Sequence, residues 1–230
     1  MARAISSVAT LVYAERVSSE QPPKRRGRPP GASREDVLRT ATEHHLAGQR
    51  IDLRRIATEL GVGRATIYRW YGSREKLVGA ALLVIAERVV ADARRSARGS
   101  GAERLVDTFD AINRELAESP TLRRFLREER AAALRIITSS AGPVQPRIVE
   151  LIQEIIDQEV SRGRYEPPVD TTTLAYAIVR LAEAFLFNDA VADIRGDVDR
   201  LRAVEAALLG ARAAGAGVVY DFAAASSRRA

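Results

Sequence analysis

The sequence predicts an all-α protein in two parts, and three observations carry that prediction. Apolar residues recur at helical spacing from about residue 33 to about residue 213, and from Ala102 onward only helical patterns occur. Glycine, proline and serine interrupt those runs where helices would have to end. The charge is divided unevenly: through Lys76 there are 15 Lys+Arg against 8 Asp+Glu, and the rest of the chain holds 21 against 22. The whole excess of the +6 chain therefore lies in its first third. Such a split is the footprint of a nucleic-acid-binding module joined to a neutral domain of another purpose.

Residues 1–32 lack sustained periodicity and end in QPPKRRGRPPGA, where prolines forbid helix. Arg26-Gly27-Arg28-Pro29 resembles an AT-hook, an extended arginine-bearing strand suited to a narrow minor groove. The alternative is a basic tail that neutralises phosphates without sequence preference. Both readings place Arg26 and Arg28 on DNA. Residues 4–14 (AISSVATLVYA) faintly resemble a secretion signal, but the run is short and broken by Ser and Thr, so a solvated tail is expected.

Ser33 opens the first helix as N-cap, with Asp36 placed to complete a capping box. That helix is expected to run to about Ala47, with Val37, Leu38, Ala41 and Leu46 as its packing face. His44 and His45 are adjacent, hence about 100° apart on the helix, and cannot chelate one ion together. One buried and one exposed histidine is expected, with no metal. From Asp52 to Leu60, Leu53, Ile56, Ala57 and Leu60 share one face, and Gly61 supplies the left-handed residue that ends the helix. A second short helix follows with Ile67 inward. Two short helices joined by a tight glycine turn form a helix-turn-helix.

The second of these helices carries hydroxyls, guanidiniums and aromatics, which suits a helix lying in a major groove. Arg64, Thr66 and Arg69 are the candidates for base contacts, because arginine matches guanine and the threonine methyl matches thymine. Tyr68 and Arg74 are assigned to phosphates, which set register. Trp70 is divided between contacting DNA and packing under the helix, and Tyr71 is expected in the core. Ser73 then caps a fourth helix that continues to about Ala97, with Leu77, Ala80, Ala81, Val84 and Ile85 as its stripe. It would link the DNA-facing module to the second domain.

The run LGVGRATIYRWYGSREKLV, Leu60 to Val78, resembles the DNA-binding signature of the tetracycline-repressor (TetR) family. The matching elements are the turn Leu60-Gly61-Val62, the recognition segment Thr66-Ile67-Tyr68, the closing aromatic Tyr71 and the basic Arg74. The family commonly has lysine at the position of Arg74, where arginine keeps the phosphate-binding charge but changes its geometry, and it often has histidine at that of Trp70, so the family's contact does not carry over to Trp70. The resemblance covers residues 33–80. It implies a three-helix DNA-binding domain at 33–78, a helical effector-binding and dimerisation domain at 79–214, and a C-terminal tail at 215–230.

Beyond Arg98-Gly99-Ser100-Gly101, a helix is expected at about 102–117 on Leu105, Phe109, Ile112 and Leu116. A single helix from Ser119-Pro120 to about Thr138 follows, then one at 145–162 with Ile148, Leu151, Ile152, Ile155, Ile156 and Val160 on one face. The segment 171–191 is apolar almost all round its middle and must be covered on nearly every side. A last helix spans 197–213. The resemblance implies that 171–191 and 197–213 pair two subunits as a homodimer. A dimer has physical support as well, since one short recognition helix reads only a few base pairs. For an effector pocket the candidates are Phe109, Asn113, Phe125, Tyr176, Arg180 and Glu183, which put aromatic or polar groups on otherwise apolar faces. Arg180 and Glu183 also stand at i,i+3 spacing, as an ion pair would.

The absence of cysteine excludes disulfides and thiolate chemistry. No apolar stretch approaches the ~18 residues of a membrane helix. No GxSxG, phosphate-cradling glycine loop or metal-ligand spacing occurs, so neither enzyme activity nor a cofactor is expected. The expected partners are double-stranded DNA, a second copy of the chain and a small, largely apolar effector, in the cytoplasm. The functional expectation is a ligand-responsive repressor released from a palindromic operator. The alternative is an architectural DNA-binding protein without an effector.

Overall fold

The structure is a computed structural model that describes residues 31–187 and 197–211. Ten helices fill the described residues: α1 (Arg34–Leu46), α2 (Leu53–Leu60), α3 (Arg64–Tyr71), α4 (Arg74–Ser96), α5 (Gly101–Glu118), α6 (Pro120–Glu128), α7 (Arg130–Thr138), α8 (Val144–Ser161), α9 (Thr171–Phe187) and α10 (Val198–Leu208). The all-α class expected from periodicity holds. Among these helices none is long and apolar enough to cross a membrane.

Local chemistry sets most boundaries. The Ser33 hydroxyl accepts the Asp36 N–H at 3.1 Å, and the Asp36 carboxylate accepts the Ser33 N–H at 2.9 Å, a complete capping box. Those bonds hold the Asp36 carboxyl below its usual range. The Asp52 carboxylate likewise accepts from Arg54 and Arg55 N–H at 2.7 and 3.1 Å and starts α2. Gly61 takes φ 64°, ψ 26° and turns the chain into α3. Ser73 starts α4 by accepting the Lys76 N–H at 3.1 Å.

Two apolar cores result. The first gathers Val37, Ala41, Ile56, Ile67, Tyr71, Leu77 and Ala81 from the first four helices with Ile51 from the α1–α2 connection, and adds Phe125, Ala133, Ile136 and Val144 from farther along the chain. The second joins Val90 and Ala93 at the far end of α4 to faces of α5, α8 and α9. Helix α4 runs through both. Its 23 residues make a rod about 35 Å long.

Several expectations are corrected. Leu46 is 47 % exposed and Val84 37 % exposed, so neither belongs to a packing face. On α4 the inward stripe is Leu77, Val78, Ala81 and Leu82, because α1, α5, α7 and α8 all pack against that helix. Both histidines are buried. His44 Nε2 lies 3.0 Å from Glu59 across the α1–α2 contact, and His45 meets the Phe125 ring edge-on at 5.8 Å. Burial holds the His45 imidazole below its ordinary value.

The single helix expected over 120–138 is two, broken at Glu129 with φ −128°, ψ 39°. At that break the Glu129 carboxylate accepts both terminal nitrogens of Arg74, at 2.7 and 2.8 Å. Arg50 Nε stands 3.4 Å from the same carboxylate. Burial would push the Glu129 carboxyl up, but Arg74 and then Arg50 more than reverse it, and the net shift is downward.

Candidate nucleic-acid interface

Helix α3 is fixed from beneath by Ile67, fully buried, and Tyr71, whose hydroxyl donates to the Arg34 carbonyl at 2.7 Å. The Arg34 guanidinium lies 5.0 Å from the Tyr71 ring centre, so Tyr71 sits in the core as expected. With that face held down, Arg64, Ala65, Tyr68 and Arg69 face solvent and Thr66 is half-buried. Tyr68 is 50 % exposed, a large aromatic left in water beside two guanidiniums. Among the described residues Arg64 and Arg69 have no carboxylate partner. Trp70 is half-buried and packs against the first core, which leaves it at the edge of this surface.

Gly63 supplies no side-chain cap, so the first-turn N–H groups of α3 are not satisfied by a capping side chain. Such groups are donors for a phosphate oxygen. Arg54 and Arg55 at the start of α2, and Lys76 at the start of α4, are exposed and form no ion pair among the described residues. Residue spacing alone did not single out these three cations.

Arg74 is placed differently from its assignment to phosphate. Its Nε donates to the Ile51 carbonyl at 2.6 Å and its two other nitrogens to Glu129, so the whole fork is engaged inside the protein. Arg26 and Arg28 lie outside the described residues.

The six pocket candidates do not converge. Phe109 is in the second core, whereas Phe125 is in the first. Asn113 is buried, and its amide donates to both oxygens of Glu205 at 3.0 and 3.1 Å. Tyr176 and Arg180 lie on the outward face of α9, where Arg180 pairs with Glu183 at 2.7 Å and donates to the Thr138 carbonyl at 3.3 Å. The i,i+3 ion pair is therefore the arrangement observed. Glu205, fully buried on α10, went unnoticed because its surroundings, RAVEAAL, read as an exposed helix face. Burial first, against the Asn113 hydrogen bonds and with Asp110 nearby, pushes its carboxyl up to about 7. Among the described residues no His, Cys, Asp or Glu side chains are grouped to hold a metal ion.

Residues 100–210 match the family model for the tetracyclin repressor-like C-terminal domain. The chain is also similar to the R. erythropolis transcriptional repressor QsdR, from the TetR family, with 27% identity and a TM-score of 0.72. That match covers 80% of this chain and 97% of QsdR. The TetR-family repressor AlkX from Dietzia sp. strain DQ12-45-1b shares the fold at 23% identity and a TM-score of 0.54, over 78% of this chain and 96% of AlkX. No curated protein matches.

Proposed function

We propose that this chain is a DNA-binding transcriptional regulator of the tetracycline-repressor family, acting in the cytoplasm as a homodimeric repressor released from a near-palindromic operator by a small effector. One observation carries the DNA-reading part: α3 is pinned by Ile67 and Tyr71 and presents Arg64 and Arg69, without an ion-pair partner among the described residues, beside an exposed Tyr68. Arg64, Thr66 and Arg69 read bases in this proposal. Tyr68, the open first turn of α3, Arg54, Arg55 and Lys76 hold phosphates. Arg74 fastens the DNA-binding part, residues 33–78, to the effector and dimerisation part, residues 79–214.

Dimerisation is assigned to α9 and α10. In a single chain α9 buries Leu174, Ala175, Ile178 and Val179 inward while Tyr176, Arg180 and Ala184 face out. A second copy covering that outward face would explain why the segment is apolar almost all round. Half-sites would then be spaced by about one turn of DNA, ~34–36 Å, or a multiple of it.

The test is selection of bound duplexes from a random DNA pool. An inverted repeat among the recovered sequences is expected. Unsymmetrical A·T-rich sequences, bound with a steep salt dependence, would overturn the proposal in favour of an architectural protein led by its basic tail.

A further inference from the structure

A cavity of about 360 Å³ opens between the C-terminal half of α4, the first turns of α5 and the last turns of α8. That volume falls within the range of small-molecule sites, roughly 300–1,000 Å³. Its floor is apolar, formed by Leu105 and Ile155, both buried residues of the second core. Its walls are cationic, with Arg94 and Arg95 from α4, Arg104 from α5 and Arg162 at the end of α8.

The carboxylates on hand do not balance these four guanidiniums. Glu159 is 2 % exposed and accepts Arg162 at 3.0 Å, while Arg104 Nε lies 3.7 Å away. Its other oxygen accepts the Gly101 N–H at 2.9 Å. That approach requires glycine: Gly101 has φ 58°, and a Cβ there would meet the Arg164 carbonyl oxygen at 2.2 Å. Asp92 answers Arg95. Arg104 is further fixed by donating to the carbonyls of Ala97 and Arg94. Arg94, half-buried, donates to the amide oxygen of Gln158 at 3.0 Å, a neutral partner. Among the described residues, two carboxylates thus face four guanidiniums.

We propose that this cleft binds a small organic molecule carrying two negative charges, a phosphate monoester or a dicarboxylate, and that this molecule is the effector. A guanidinium fork suits the oxygens of either group. The apolar floor would take the remainder of the ligand. This departs from the largely apolar effector anticipated from the sequence. Arg94 and Arg74 stand on one helix about 30 Å apart, so an anion that replaces Gln158 as the partner of Arg94 changes what ties the distal end of the linking helix to α8. The effector role rests on the regulatory reading above, whereas the binding site does not.

The test is thermal unfolding of the full chain with glycerol 3-phosphate or glutarate, against sodium chloride of matched ionic strength. At ten times Kd the binding anion should raise Tm by about 3 °C. Arg94→Gln should abolish the rise. Gln158→Glu should abolish it too, by giving Arg94 a carboxylate of its own, and its Tm without anion should not fall below that of the parent chain. That second variant separates loss of the site from loss of the fold. Response to one probe and not the other identifies the phosphate or the dicarboxylate. No rise with either probe would overturn the site. So would a rise that survives both substitutions, which would put the anion on the DNA-binding face instead. Anion binding that leaves operator affinity unchanged would remove the effector role and keep the cleft. Failure to find any operator would overturn only the regulatory reading.

Discussion

Replacing Glu205 with glutamine should make the protein less sensitive to pH and more stable in mild alkali. Glu205 is fully buried between α10 and α5, and its carboxyl is held at about 7 against an ordinary 4.5. Arg202, whose charge acts against that rise, is paired with Asp110 at 3.0 Å. Because the folded value is raised, the proton on Glu205 favours the folded state. Its contribution is complete below pH 4.5 and is lost as pH rises through about 7. At about 1.4 kcal/mol per pH unit, that gap corresponds to ~3 kcal/mol. In Glu205→Gln the amide oxygen keeps the bond from Asn113, while its NH2 costs about 1 kcal/mol if it finds no acceptor. The variant should therefore lack the decline between pH 5 and 7 and exceed the parent chain by about 2 kcal/mol at pH 8. Urea unfolding at pH 5, 6, 7 and 8, at one fixed protein concentration so that the proposed subunit association contributes equally, measures both quantities. Parallel pH profiles for the two proteins would refute the reasoning, because Glu205 would then not titrate in that window.

Three further outcomes follow from the geometry. Arg64→Ala and Arg69→Ala should each weaken operator binding by about 10- to 100-fold with Tm unchanged, read by fluorescence anisotropy and thermal unfolding. Glu129→Gln should destabilise the chain by about 1–3 kcal/mol, because it strips the bidentate carboxylate from a largely buried Arg74. The lowered carboxyl gives the sign: the parent's advantage over this variant is present above pH 4.5 and disappears as pH falls through the depressed value, which acid titration of both proteins will show. Ala184→Arg places an unpaired charge on the outward face of α9 and should weaken a dimer formed there by about 100-fold, visible in sedimentation. An unchanged dimer would move the interface elsewhere.

The parts of the fold that were legible in the sequence are those whose causes are local. Ser33 with Asp36, Asp52, Gly61 and Ser73 act within a turn of their own positions, and each starts or ends a helix where expected. The helix break at Glu129 was hidden because no glycine or proline marks it; its partner, Arg74, lies 55 residues away. The same distance concealed the engagement of the Arg74 guanidinium by Glu129. Both histidines are buried because α1 is enclosed by α2 on one side and by Phe125 on the other, which helical spacing within α1 does not encode. The arginine cleft was missed for a related reason. Each of its cations reads singly as a solvated side chain, and only the meeting of three helix ends makes them a wall.

The first core limits how the chain can be recombined. Four of its buried residues, Phe125, Ala133, Ile136 and Val144, come from beyond α4. A fragment ending near residue 80 would leave the first core open on the side where Phe125, Ala133, Ile136 and Val144 close it. Exchanging the DNA-reading segment with that of another protein therefore requires carrying over its mating surface on α6, α7 and the start of α8, together with the Arg74–Glu129 bridge. The first segment of this chain is not a cassette, since the core beneath it is drawn from residues spread over more than a hundred positions, from Val37 to Val144.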